Sequence, residues 1–220
     1  MDVIRLILSI PGLVLGLSFH EFAHAWVADR FGDPTPRNQG RLTLDPRAHW
    51  DWFGALIFLL SGGQFAWARP VQVNVWRLRP RYAGELAVAL AGIAMNTLLA
   101  IVLLIGSELL DPVLPAGPGG AGRFLVQAVR YAGFINLGLA VFNFLPVPPL
   151  DGWRFFSRLV PGFSRSRIAF YLDQYGMFFL MLLLILDRSG QIVRLLLTPF
   201  IWLIGGIVNG VVGLVLDLVG

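Results

Sequence analysis

The chain has 220 residues, 56% of them apolar and only 14% charged, with a formal net charge of +4 and a mean hydropathy of +0.72. Soluble globular domains carry about 25% charge, so that class is excluded, and the lack of cysteine removes disulfides, thiolate metal ligands and cysteine nucleophiles. All 17 basic residues are arginine, which removes Ser–Lys and Schiff-base chemistry and points to loops facing anionic lipid, with no nucleic-acid partner.

In chain order, five apolar runs have the length of membrane-crossing helices: Val3–Ala28, Glu85–Leu109, Phe124–Leu145, Ile168–Leu186 and Ile192–Leu218. The first carries polar residues of functional type and reads as a retained helix, not a cleaved signal peptide. A sixth apolar stretch, Trp52–Ala68, has arginines 30, 37, 41 and 47 before it and 69, 77, 79 and 81 after it. Basic flanks favour the cytoplasm, so both ends ask for one side, and the stretch is expected to dip in and return at Ser61-Gly62-Gly63. Arginines 154, 158, 165 and 167 then fall on the same side. This places the N-terminus outside and the C-terminus inside.

Strict apolar–polar alternation in Arg41–Asp45 and Val71–Val75 has the period of a half-buried strand. It suits either a small cytoplasmic-side β-sheet or two extended loops. Val71–Val75 is the candidate edge for holding an unwound substrate segment through backbone hydrogen bonds. The expected architecture is an all-α polytopic membrane protein of about five to six transmembrane helices with a re-entrant segment. It forms one domain over 1–220, with a core at 3–160 and accessory C-terminal helices at 168–218. The short linker Pro115–Gly122 is too brief to separate two domains.

The chemistry concentrates in His20-Glu21-Phe22-Ala23-His24 on the first helix. Histidines four apart lie about 40° apart around a helix axis, so both imidazoles can reach one metal, with the glutamate near it but not needed as a ligand. Ionisable groups in an apolar segment are costly unless paired or metal-bound, which makes a functional reading the default. A catalytic zinc takes three protein ligands and keeps one position open. The remaining histidine, His49, lies in a basic loop. Asp151 is the better third candidate: it closes the run Asn143-Phe144-Leu145-Pro146-Val147-Pro148-Pro149-Leu150-Asp151-Gly152, whose prolines exclude regular helix. Asn136 and Asn143, seven apart, share a helical face that should look into the bundle. Gly12 and Gly16 precede His20 at steps of four and allow a close helix approach. Two facing intramembrane aspartates are not available, and Ser18 points away from the face of His20, so aspartyl and serine mechanisms are disfavoured.

With these motifs and the stretch from Gly40 to Gly54 (G-R-L-T-L-D-P-R-A-H-W-D-W-F-G), the sequence resembles the site-2 protease family of intramembrane zinc metalloproteases, peptidase family M50. It is most similar to the compact bacterial branch without an evident PDZ domain. The resemblance covers about Leu15–Arg158. It implies His20, His24 and Asp151 as ligands of one Zn2+ per chain, Glu21 as catalytic base and Asn143 as a residue contacting substrate or intermediate. The family's Ala-Gly-Pro-x-x-Asn is here Ala91-Gly92-Ile93-Ala94-Met95-Asn96, without the proline. The expected function is a metalloendopeptidase of the cell membrane, bacterial and cytoplasmic, that hydrolyses transmembrane protein substrates in the lipid bilayer (regulated intramembrane proteolysis). The competing class is a metal-ion transporter or channel using the same His/Asp site. A transport path needs polar groups through the membrane depth, whereas the ionisable residues here gather at one level.

Overall fold

Among the described residues of the computed structural model (3–60, 68–114, 120–187 and 191–219), all regular structure is helical. The helices are α1 (Val3–Arg30), α2 (Thr35–Asn38), α3 (Pro46–His49), α4 (Trp52–Leu60), α5 (Arg81–Leu110), α6 (Ala121–Phe144), α7 (Asp151–Leu159), α8 (Arg167–Leu186) and α9 (Gln191–Val219), with a 3-10 turn at Phe163–Arg165. The five long apolar runs are the five long helices. Among the described residues, four helical stretches are long and apolar enough to cross a membrane: Ile7–Arg30, Arg81–Leu110, Ala121–Phe144 and Thr198–Val215. The chain is therefore a multi-pass membrane protein.

Small residues set the packing. The buried face of α5 runs Gly84, Val88, Ala91, Gly92, Asn96, Ala100, Leu104 and Ser107, near four-residue spacing with little side-chain bulk. Between helices in lipid there is no hydrophobic driving force, so association relies on the close approach such stripes permit. α5 packs along α6, and α1 lies against both. A Cβ on Gly12 would come within 2.5 Å of the Ala132 backbone, and one on Gly16 within 2.9 Å of Asn136 Oδ1. The close approach expected from these two glycines is present, and α1 and α6 meet there. Large apolar side chains face outward instead, Leu98 and Val102 of α5 among them. α9 closes one flank, burying Ile204 and Val208 against Ala100, Leu104, Leu137 and Val141. The first turn of α5 carries its charge in pairs: Glu85 accepts from Arg81 Nε and from Arg158 Nε of α7, both at 2.8 Å. Ile93, where the family often has proline, lies in mid-helix and keeps its place in an uninterrupted α5.

The sixth apolar stretch begins as α4, whose nine residues rise about 14 Å against a hydrocarbon core of about 30 Å. Ser61-Gly62-Gly63 lies outside the described residues, as does 115–119 of the proline–glycine linker. The two flanks of the stretch meet at the end of α1. Arg79 N–H donates to Phe31 O at 2.7 Å, Asn74 N–H to Asp33 Oδ2 at 2.6 Å, and Gln39 reaches Gln72 at 3.5 Å.

The small sheet is not formed among the described residues. A strand needs its backbone donors for a neighbouring ladder, and here side chains and turns take them. Val71 and Asn74 donate inward to Glu21 and Asp33. In 41–45, Thr43 Oγ1 accepts from Asp45 N–H, and Asp45 caps α3 by accepting from Arg47 N–H. Val71–Val75 is thus not a free edge along its length. Val73 and Val75 rest on a cluster of Ala28, Leu78 and Val88.

Candidate metal centre

His20 and His24 lie one turn apart on α1, ten and six residues before its end at Arg30. Asp151 comes from α7, which packs on α5 and α6. The prolines after α6 break the helix, and the chain restarts at Asp151, the first residue of α7. The carboxylate is therefore at a helix start, not within the irregular turn expected from the prolines. Gly152 makes this possible, because a Cβ there would fall within 2.2 Å of Phe144 O. α7 can fold back onto the end of α6 only without a side chain at that point.

The three side chains converge. His20 Nε2 lies 3.1 Å from Asp151 Oδ2, His24 Nε2 lies 2.9 Å from it, and the two Nε2 atoms are 3.1 Å apart. All three residues are buried, and they form a group that could hold a metal ion. Ligand atoms at 2.0–2.1 Å from a tetrahedral zinc stand about 3.3 Å apart, close to this spacing. The donor set fits too. His20 Nδ1 donates to Asn96 Oδ1 at 2.9 Å and His24 Nδ1 to the Val88 carbonyl at 2.8 Å, since those oxygens only accept. In the neutral rings, both Nε2 lone pairs then face Asp151. Three acceptors in contact need a cation or shared protons between them.

Glu21, also buried, accepts from the Val71 backbone N–H through Oε2 at 2.7 Å. The backbone two residues before Val71 is held by Arg41, a buried guanidinium that donates to the carbonyls of Ala48 and Arg69. Arg69 N–H completes the clasp by donating to His49 O at 2.9 Å. Burial pushes the Arg41 guanidinium down from its ordinary value, with the Glu21 carboxylate offsetting part of that fall.

Of the residues singled out from sequence, His20, His24 and Asp151 are brought together, and Glu21 stands beside them in the same helix turn. His49 is buried elsewhere, its Nε2 on Thr43 O at 2.8 Å. Asn143 Nδ2 donates to Leu139 O of its own helix at 2.9 Å. Sequence reasoning missed the supporting contacts: the Val88 carbonyl, the Asn96 amide against His20, the Val71 amide and the Arg41 clasp. An asparagine within the apolar run of α5 was the one available signal, because an amide there needs a partner. Gly92 belongs to the same surroundings. A Cβ on it would stand 2.3 Å from the His20 ring.

The sequence model of peptidase family M50 matches residues 119–186. The chain is 39% identical over 186 residues to "Putative zinc metalloprotease YwhC" of Bacillus subtilis (strain 168), covering 82% of this chain and 81% of that one. It is 35% identical over 152 residues to "Putative zinc metalloprotease Rip2" of Mycobacterium tuberculosis (strain ATCC 25618 / H37Rv), covering 67% of this chain and 55% of that one. It is 30% identical over 153 residues to "Putative zinc metalloprotease MJ0611" of Methanocaldococcus jannaschii, covering 69% and 70%. No solved structure matches the chain.

Proposed function

Because the chain belongs to peptidase family M50, the site-2 protease family, we propose that this membrane zinc protease cleaves peptide bonds in or near the transmembrane segments of other membrane proteins. His20, His24 and Asp151 are the zinc ligands in this reading and Glu21 is the catalytic base. The observation that carries it is the convergence of two imidazole Nε2 atoms and one carboxylate oxygen within 3.1 Å, one residue along the helix from a buried glutamate.

Zinc at this position supplies Lewis acidity to a scissile carbonyl and makes water ionisable near pH 7. Glu21 takes the proton of the attacking water and gives it to the leaving amine. The Val71 N–H engages Oε2, which assigns the proton to Oε1 and fixes the carboxylate plane. Asn143 is the residue proposed to hold the substrate carbonyl or the developing oxyanion. Its Nδ2 has two hydrogens, and the bond to Leu139 O uses one.

The joined flanks of 52–68 support a re-entrant segment with both ends in the cytoplasm. This reading puts the chain in a bacterial cytoplasmic membrane as a single domain over 1–220, acting in regulated intramembrane proteolysis. The deciding experiment purifies the chain, measures bound zinc and incubates it with a panel of single-pass membrane proteins. Stoichiometric zinc with cleavage in or near a transmembrane segment is the expected result. Zinc flux through vesicles without cleavage would decide for a transporter.

A further inference from the structure

Behind His20 lies a polar chain that the proposed chemistry does not use. Asn96 of α5 and Asn136 of α6 are both fully buried, at 0% exposure. Asn136 Nδ2 faces two helix carbonyls, Ala132 O at 2.9 Å and Gly12 O at 3.3 Å. Carbonyls only accept, so the amide of Asn136 has one allowed orientation, with Oδ1 turned to α5. That oxygen receives Asn96 Nδ2 at 3.3 Å, and the same nitrogen reaches Gly16 O at 3.5 Å. The Asn96 amide is thereby oriented in its turn, and its Oδ1 meets His20 Nδ1 at 2.9 Å. A flipped Asn96 would set its oxygen against two other acceptors and its N–H group against His20 Nδ1.

We propose that Asn136 is a positioning residue for the metal centre, which selects the His20 tautomer with Nδ1 protonated and the Nε2 lone pair directed at the metal, acting through Asn96. Hydrogen-bonding the outward nitrogen of a metal-ligating histidine fixes ring orientation and ligand basicity. Here the polarity of the relay originates in backbone carbonyls of α1 and α6, which cannot reverse. The packing is built around it. At Gly16 a Cβ would come within 2.9 Å of Asn136 Oδ1, and at Gly92 within 2.5 Å of His20 Nδ1. Both ends of the relay therefore sit beside a glycine that leaves it room.

The inference rests on the metal-centre reading, and its test keeps the two apart. The chain has three histidines, so its 15N-histidine spectrum in detergent is simple, and the His20→Gln variant identifies the His20 signals. In the metal-free full chain, His20 is expected to carry its proton on Nδ1. A His20 whose Nδ1 carries no proton overturns the relay without any variant. The Asn136→Leu variant should mix the two tautomers and weaken zinc binding by about tenfold to a hundredfold. The Asn136→Asp variant in its protonated form keeps a donor for the Ala132 carbonyl and an acceptor for Asn96, and should retain the parent's tautomer and most of its zinc affinity. Leu104→Ala, a packing loss against Gly133, should lower thermal stability and leave the tautomer unchanged. If Asn136→Leu keeps both the parent's tautomer and its affinity, Asn136 has no positioning role. A parent that shows the Nδ1–H form but binds no zinc supports the relay and overturns the metalloprotease reading.

Discussion

Glu21 separates two roles that a carboxylate near a metal can play. Glutamine has its shape and keeps an acceptor oxygen for the Val71 N–H, but it cannot take a proton. Glu21→Gln is therefore expected to bind zinc as the parent does while cleavage falls by at least about a hundredfold. Metal analysis and a cleavage assay on the same preparation check this, and near-normal cleavage would remove Glu21 as the base. His20→Ala, His24→Ala and Asp151→Ala should each lose zinc together with activity. Full zinc occupancy in Asp151→Ala would assign the third ligand elsewhere. Gly92 offers a steric counterpart. A methyl group at that position would stand 2.3 Å from the His20 ring, and the imidazole has to move off Asn96 to admit it. Gly92→Ala should cost about 1–3 kcal/mol of stability and about tenfold or more in zinc affinity, read by thermal melting and zinc titration.

At the scale of elements, the segment leading from 69 to 79 acts as a strap across the end of α1. Arg41 ties its start to α3, Val71 reaches Glu21, Asn74 reaches Asp33, and Arg79 N–H reaches Phe31 O. Val71→Pro deletes the donor to Glu21 and leaves the ligands untouched. Zinc content should stay at the parent's level while cleavage drops about tenfold to a hundredfold, the scale of a misplaced catalytic group. Unchanged cleavage at equal zinc content would make the strap a connector only. Asp151 depends on other contacts, with α7 held against α5 by Glu85 and Arg158 and against α8 by Trp153 donating to Asp173.

For the whole molecule, the arginine distribution and the strap make one topological claim. The lack of native cysteine allows single cysteines to be introduced and labelled from either side of a sealed membrane. Gln39→Cys and Arg77→Cys, both at exposed positions, should react only from the cytoplasmic side. Labelling of the two from opposite faces would require 52–68 to cross, and would also contradict the hydrogen bonds that join their neighbours at the end of α1.

Sequence alone determined the membrane class, the five long helices, the His20-Glu21-x-x-His24 face and the candidacy of Asp151, which the fold brings to the two histidines. Each rests on local information: run length against bilayer thickness, a four-residue helical repeat, and prolines that forbid helix just before an acid. The fate of Val71–Val75 was not legible, because alternation states which face is buried and not what receives the backbone N–H groups. Their acceptors proved to be Glu21 and Asp33, 50 and 41 residues away. The same holds for Asn96 and Asn136. Their presence in apolar helices called for partners, but only the packing of α1, α5 and α6 decided which amide faces which. Small-residue stripes bring those three helices into contact, and in a medium without water each buried amide bonds whatever the packing sets beside it.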